Sequence, residues 1–385
     1  MSENSSVALL NDLVAFDTTS RNSNLQLIEY VISLLEPHGI PFDLTHDDDG
    51  RKANLFATLG NPNAPGIVLS GHTDVVPVDG QDWSSDPFGT EVRGTRLYGR
   101  GVCDMKGFIA LCLSRIRTIL DADLDIPVHF AFSYDEEIGC LGVSKLLEGL
   151  RDRPVRPKAC IIGEPTGMQP VRAHKGMLFK RCHVHGKSAH SSMVDKGVNA
   201  VTSAARIIAK VDEIQRRIIR DGPFDPAFDP PYTSLHCGVI HGGTVNNIIP
   251  SECRFDFEIR NLPDQSAEAL FDEVRSYAET VIQAEMQAVA RQTGIQWQTL
   301  ADYPGMDTPE KDPLVREVSR LLGCDTPPGK VSYGTEGGHF QAFGIPTVVC
   351  GPGHIAQAHK PDEFIDLEQM ERGGRFVDAL IRSLA

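Results

Sequence analysis

Four short runs in this chain are apolar without alternation: Ile67-Val68-Leu69, Val128 to Phe132 (interrupted only by His129), Cys160-Ile161-Ile162 and Thr347-Val348-Val349. A strand with one wet face alternates polar and apolar residues, so a run without alternation is buried on both faces. Such strands need helices on both sides of their sheet. The stretch Met105 to Leu120 supplies one, because Phe108, Ile109, Cys112, Leu113, Ile116, Ile119 and Leu120 recur at helical spacing. The pattern occupies residues 1–173 and returns over 303–385. It predicts an α/β catalytic domain whose sheet is mostly parallel and covered by helices.

Between the two parts, residues 174–302 are patterned differently. Cys253, Phe255, Phe257 and Ile259 alternate with Glu252, Arg254, Asp256, Glu258 and Arg260. That is a strand with one wet face, as in an antiparallel sheet. Val198, Val201, Ala205, Ile208 and Val211, with Leu270, Val274, Tyr277 and Val281, read as two helices over the dry face. An α+β domain inserted into the larger one is expected. The segment Asp221 to Tyr232, with Pro223, Pro226, Pro230 and Pro231, reads as a long loop.

Composition removes several classes of function. With 41% apolar and 23% charged residues the chain is globular, not disordered. No run approaches the roughly 18 apolar residues of a membrane span. A formal charge of −15 argues against nucleic acid, which selects Lys/Arg-rich surfaces. The nine cysteines are scattered with no Cys-x-x-Cys, and the first residues lack a basic region followed by an apolar core. Both features lead us to expect a reducing, cytoplasmic setting.

The residues directly after each buried run carry the chemistry. The first run leads into Ser70-Gly71-His72-Thr73-Asp74, and the second into Asp135-Glu136-Glu137-Ile138-Gly139. The third leads into Gly163-Glu164-Pro165, and the fourth into Cys350-Gly351-Pro352-Gly353-His354 and then Ala358-His359. A fifth group, Gly99 to Asp104, precedes the Met105 helix. Ligands of an open parallel sheet bind beyond the carboxyl ends of its strands. Carboxylates converging there repel one another unless cations neutralise them. Imidazole mixed with carboxylate suits zinc, and also cobalt or manganese. So many donors exceed the needs of one catalytic zinc and fit two ions about 3.5–4 Å apart with a bridging carboxylate. In His72-Thr73-Asp74 the aspartate is placed to hold the second nitrogen of a ligating imidazole. Each motif alone reads as an ordinary turn; five of them, each beside a buried element, read as one site.

Rival chemistries lack their motifs. There is no Gly-x-Ser-x-Gly, no His-Glu-x-x-His, no phosphate-binding loop and no Gly-x-Gly-x-x-Gly after a strand. Cys103 sits beside Asp104, whose charge disfavours a thiolate.

Together these segments resemble the dinuclear zinc amidohydrolase family, which includes aminoacylases, a glutamate-releasing carboxypeptidase and deacylases of N-acylated diamino acids. The resemblance is carried in chain order by Ser70 to Pro77, Gly99 to Gly107, Asp135 to Gly139, Gly163 to Thr166 and Ala358 to Glu363. Likeness to the deacetylase branch rests on Ala15 to Arg21, Tyr333 to Glu336 and Cys350 to Gly353. The resemblance implies two zinc ions per subunit, with cobalt also fitting. His72 and Glu164 would hold one ion and Glu137 and His359 the other, with Asp104 bridging. Asp74 would orient His72, and Glu136 would be the general base that deprotonates water and reprotonates the leaving amine. His354 ranks below His359 as a ligand. Glu164 is Glu where peptidase-like relatives often carry Asp, which favours a deacylase.

The resemblance also gives the inserted segment a role in a homodimer. The position matching His190 reaches the site of the partner subunit and donates to the oxyanion. Asn246 and Asn247, in Gly242 to Pro250, match a segment that contacts substrate, and Arg260 would grip a substrate carboxylate. Glu336 is the expected partner of a substrate side-chain ammonium. The expected substrate is thus a small N-acetylated amino acid such as acetylornithine. A desuccinylase, a broad N-acyl-amino-acid hydrolase and a catalytically silent metal-stabilised binding module are the alternatives.

Overall fold

A computed structural model describes residues 5–385. The chain forms two compact units. The first takes in the chain up to Ala173 with Met306–Lys330 and Thr335–Ala385; the second is His174–Gly305 with Val331–Gly334.

The main sheet of the first unit runs in the order Phe42–His46, Ala53–Leu59, Val128–Ser133, Ile67–His72, Ala159–Pro165, Thr347–Gly351, Val171–His174 and Met306–Asp307. The four unalternating runs are its centre, and they pair in parallel. Antiparallel strands flank them. Every residue of these four strands is buried.

The helix expected over Met105 to Leu120 is two helices, Lys106–Leu113 and Ile116–Asp121. Ser114 and Arg115 break it: the Ser114 hydroxyl donates to the Leu111 carbonyl at 2.8 Å, and the Arg115 Nε donates to Asp378 at 3.1 Å. A serine that bonds its own backbone competes with the helical ladder. All eight residues of Lys106–Leu113 are buried, packed against the sheet and against Ser6–Val14 and Leu367–Ser383. Burial of each large apolar side chain there contributes about 1.5–3 kcal/mol. Its Phe108 ring lies where a Cβ on Gly163 would stand, 1.9 Å from Cγ. Hence the glycine of Gly163-Glu164-Pro165 belongs to a strand pressed on a helix rather than to a turn.

The second unit has an antiparallel sheet in the order Ser234–Gly242, Glu252–Arg260, Met177–His185, Gly294–Tyr303. Cys253, Phe255, Phe257 and Ile259 point to the core, as their alternation requires. The covering helices are phased differently from expectation. In Ala200–Asp221, capped by the Asn199 side chain, the buried stripe is Ala204, Ile207, Val211, Ile214 and Ile218, and Ala205 faces outward. In the other, Phe271, Val274, Ala278 and Ile282 are buried while Val281 is exposed. Phe271 sets that phase by packing edge-on against Trp297, centroids 5.2 Å apart, and a π-helical turn over Ala278–Gln283 then rotates the stripe. Among the described residues no helix is long and apolar enough to cross a membrane.

Candidate metal centre

The parallel register brings the candidate ligands level. His72 is the last residue of its strand and lies opposite Ser133, after which the chain turns through Asp135, Glu136 and Glu137. On the other side Ser70 pairs with Ile162, so Glu164 stands two residues further along, beside His72. Asp104 precedes the helix Lys106–Leu113, and His359 lies in the loop after Thr347–Gly351.

The Asp104 carboxylate stands between two imidazoles. Its Oδ1 is 3.0 Å from His72 Nε2 and its Oδ2 is 3.3 Å from His359 Nε2. His72 Nε2 also lies 3.6 Å from Glu164, and His359 Nε2 lies 2.9 Å from Glu137. Ligand atoms of His72, Asp104 and Glu137, and separately of His72, Glu136 and Glu164, fall within 4.8 Å of one another. His72, Asp104, Glu137 and Glu164 are almost wholly buried, whereas the His359 side chain is 52% exposed and forms the outer wall. His354 is exposed and packs over Gly167 instead.

The loops carrying these groups are held firmly. Asp74 accepts from the backbone N–H of Glu136 at 3.0 Å, of Glu137 at 3.2 Å and from the Ser20 hydroxyl at 2.8 Å. The Nδ1 of His72 meets the Asp74 carbonyl at 2.9 Å and its carboxylate at 3.6 Å, so Asp74 braces both the ring and the Glu136-Glu137 turn. Asp135 and His359 have φ of 56° and 63°. Left-handed residues other than glycine cost about 1–3 kcal/mol and persist where the surroundings fix them. At Asp135 the fixing group is Lys52, buried, whose Nζ contacts Asp135 Oδ1 at 2.5 Å and the Ser20 carbonyl.

Protonation shows what the donor set lacks. Burial, with the charge of Asp104 next, pushes Glu137 up to about 7. Burial first, then neighbouring carboxylates, hold Glu136 and Glu164 well above the usual range. Hydrogen bonds to Asp104 and Glu137 raise His359 to about 10. Four carboxyl groups and two imidazoles in one recess retain protons that they shed when cations replace them. Two imidazoles, each with a carboxylate of its own and one carboxylate shared between them, fit a pair of divalent ions.

Glu336 is 1% exposed, with Oε2 3.5 Å from the Ser70 hydroxyl, and burial pushes its carboxyl up to about 7. Its other oxygen, Oε1, is buried and meets no hydrogen-bond partner among the described residues. In the second unit His190 is exposed, with Nδ1 2.8 Å from the Ser192 hydroxyl. Asn246 and Asn247 are exposed beside a cavity of about 610 Å³ bordered by Gly242 to Thr244 and Ile248 to Arg254. Arg260 forks onto Glu258 at 3.0 and 3.2 Å.

Lys52, Arg100, Lys106 and Glu363 support the site and are all buried; Arg100, Lys106 and Glu363 lie inside motifs already named, Lys52 outside them. The readable signal is a charge embedded in apolar sequence, as where Lys106 opens a wholly apolar helix; its Nζ donates to the carbonyls of Leu13 and Phe16 at 3.0 and 2.9 Å.

The profile of peptidase family M20/M25/M40 matches residues 68–383. Acetylornithine deacetylase of Myxococcus xanthus is 36% identical over 95% of this chain and 93% of its own length. That of Proteus mirabilis is 35% identical over 96% and 92%. Among solved structures, an M20 family metallo-carboxypeptidase from Sulfolobus solfataricus superposes with a TM-score of 0.78 at 20% identity, covering 99% of each chain. A dinuclear metal-binding M20 peptidase from Bacillus subtilis does so at 0.64 and 16%, covering 98% of this chain and 97% of that one. Fold, donor set and relatives define a metal-dependent hydrolase. The chain belongs to peptidase family M20/M25/M40.

Proposed function

We propose that this protein hydrolyses N2-acetyl-L-ornithine to L-ornithine and acetate, the deacetylation step of arginine biosynthesis. The observation that carries hydrolysis is Asp104, one oxygen toward each imidazole, with Glu136 beside the cluster. The choice of substrate rests on relatives named for it along nearly the whole chain. His72 and Glu164 hold one ion, Glu137 and His359 the other, and Asp104 lies between; zinc fits these donors and cobalt does too. The ions, when bound, supply Lewis acidity that acidifies water and polarises the scissile amide carbonyl. Glu136 accepts the proton of the attacking water and delivers it to the departing amine. Arg260, already forked on Glu258, exchanges that partner for the substrate α-carboxylate.

A substrate panel on zinc- or cobalt-loaded protein, reading released amine, tests this. Acetylornithine is expected to exceed succinyl-diaminopimelate and acetylated neutral amino acids in kcat/KM by at least about tenfold, or about 1.4 kcal/mol. A preference for the succinyl compound would replace the reading with a desuccinylase.

The second unit supports assembly as a homodimer. Ser234–Gly242 is an edge strand, and Val239 and Ile240 on it are 44% and 50% exposed. Unpaired edges bearing apolar side chains invite a second copy. In that dimer His190 donates to the oxyanion of the neighbouring subunit. Inactive His190→Ala and Glu136→Gln proteins, when mixed and reassorted, are then expected to recover roughly one quarter of wild-type activity, since half the dimers are mixed and each has one complete site. No recovery from a reassorted mixture would remove the role in trans.

A further inference from the structure

The Glu363 carboxylate is 1% exposed and accepts four hydrogen bonds. Oε1 takes the backbone N–H of Cys103 at 2.9 Å and of Asp104 at 3.1 Å; Oε2 takes Gly101 N–H at 3.0 Å and Arg100 Nη1 at 2.8 Å. Successive N–H groups converging on one point form an anion-binding nest. Here the chain fills the nest with its own carboxylate. Gly101, at φ 82°, is needed for the curl, and a Cβ there would stand 2.7 Å from Val75. Arg100, also 1% exposed, neutralises the carboxylate beside Asp104. Its Nη2 donates to Gln81 Oε1, and Gln81 Nε2 donates to the His359 carbonyl at 3.1 Å. Glu363 is itself fixed, because Phe364–Asp366 pairs antiparallel with Arg96–Tyr98 immediately after it.

We propose that Glu363 is a positioning residue for the metal pair: it aims Asp104 through the backbone of the Gly101–Asp104 turn and, through Arg100 and Gln81, sets the loop of His359. Both ends of the second cation's cage thus hang from one buried carboxylate. The inference rests on the reading of Asp104 and His359 as ligands. Glu363→Gln keeps the shape but turns an amide NH₂ toward one pair of donors, so that pair loses its acceptor. The expected result is a 10–100-fold weaker affinity for cobalt, greatest at the ion held by both Asp104 and His359, with shifted visible d–d bands, the scale typical of groups that orient ligands. The kcat for acetylornithine falls while KM stays within about threefold. Gln81→Leu, at the partly exposed end of the clamp, is expected to weaken the same ion about tenfold and leave the other unchanged.

Cobalt titration followed by visible spectroscopy on the full-length protein needs no substrate. An enzyme inert toward acetylornithine would sink the substrate reading and leave this test intact. Wild-type affinities and bands in Glu363→Gln overturn the proposal. If that variant does not fold, wild-type affinities for both ions in Gln81→Leu overturn it.

Discussion

Glu136→Gln is expected to lower kcat by about 10²–10⁴-fold, the usual worth of a positioned general base, while two divalent ions remain bound. The variant is isosteric, and the backbone N–H of Glu136 still donates to Asp74. The fold of the turn is therefore unchanged. The distances permit a competing assignment, because Glu136 lies close enough to His72 and Glu164 to share an ion with them. The two assignments differ in metal content. A ligand replaced by an amide weakens its ion; a base replaced by an amide leaves stoichiometry at two and removes only turnover. Metal analysis of the purified variant beside its rate constant separates them. Full activity with two ions bound would refute Glu136 as the general base and leave the base to be found elsewhere. Loss of one ion together with activity would make Glu136 a ligand and leave the base to be found elsewhere.

How far the sequence discloses such a site depends on which interactions are local. The central strands are legible because burial on both faces removes alternation, and their carboxyl ends then locate His72, Glu137 and Glu164. The phase of the covering helices is not, because Phe271 is set by Trp297, a contact that no single-helix periodicity contains. Glu336 shows the same limit from another side. Its motif places it near the strand ends, but that its Oε2 lies against Ser70 depends on a distant segment. The roles of Glu363, inside a motif, and of Lys52, outside any, are hidden for a related reason: both act on backbone or on a single left-handed residue far away in the chain.

Stripped of metal, the protein is expected to lose stability as pH rises from about 5 to 8, and metal-loaded protein is expected to diverge from it. Glu137 and Glu336 sit at about 7 when folded, both chiefly through burial, against about 4.3 for a glutamate in an unfolded chain. A carboxyl raised in this way keeps its proton in the native state over a window where the unfolded state has released it. Stability then falls as pH climbs through that window. His359, raised to about 10 by its bonds to Asp104 and Glu137, extends the same sign upward from the ordinary imidazole value of about 6.5. Asp104, depressed by the two imidazoles against the cost of its burial, contributes the opposite slope, but only well below pH 5. Cations bind the deprotonated ligands, so their stabilisation grows over the same interval in which the empty cluster weakens. Zinc at about a thousand times its Kd adds about 4 kcal/mol to a folded state that alone binds it. Thermal melts with and without a chelator are therefore expected to show a small gap in Tm at pH 5 and a gap wider by several degrees at pH 8. An equal gap at both values would mean that the cluster is not the place where the ions bind.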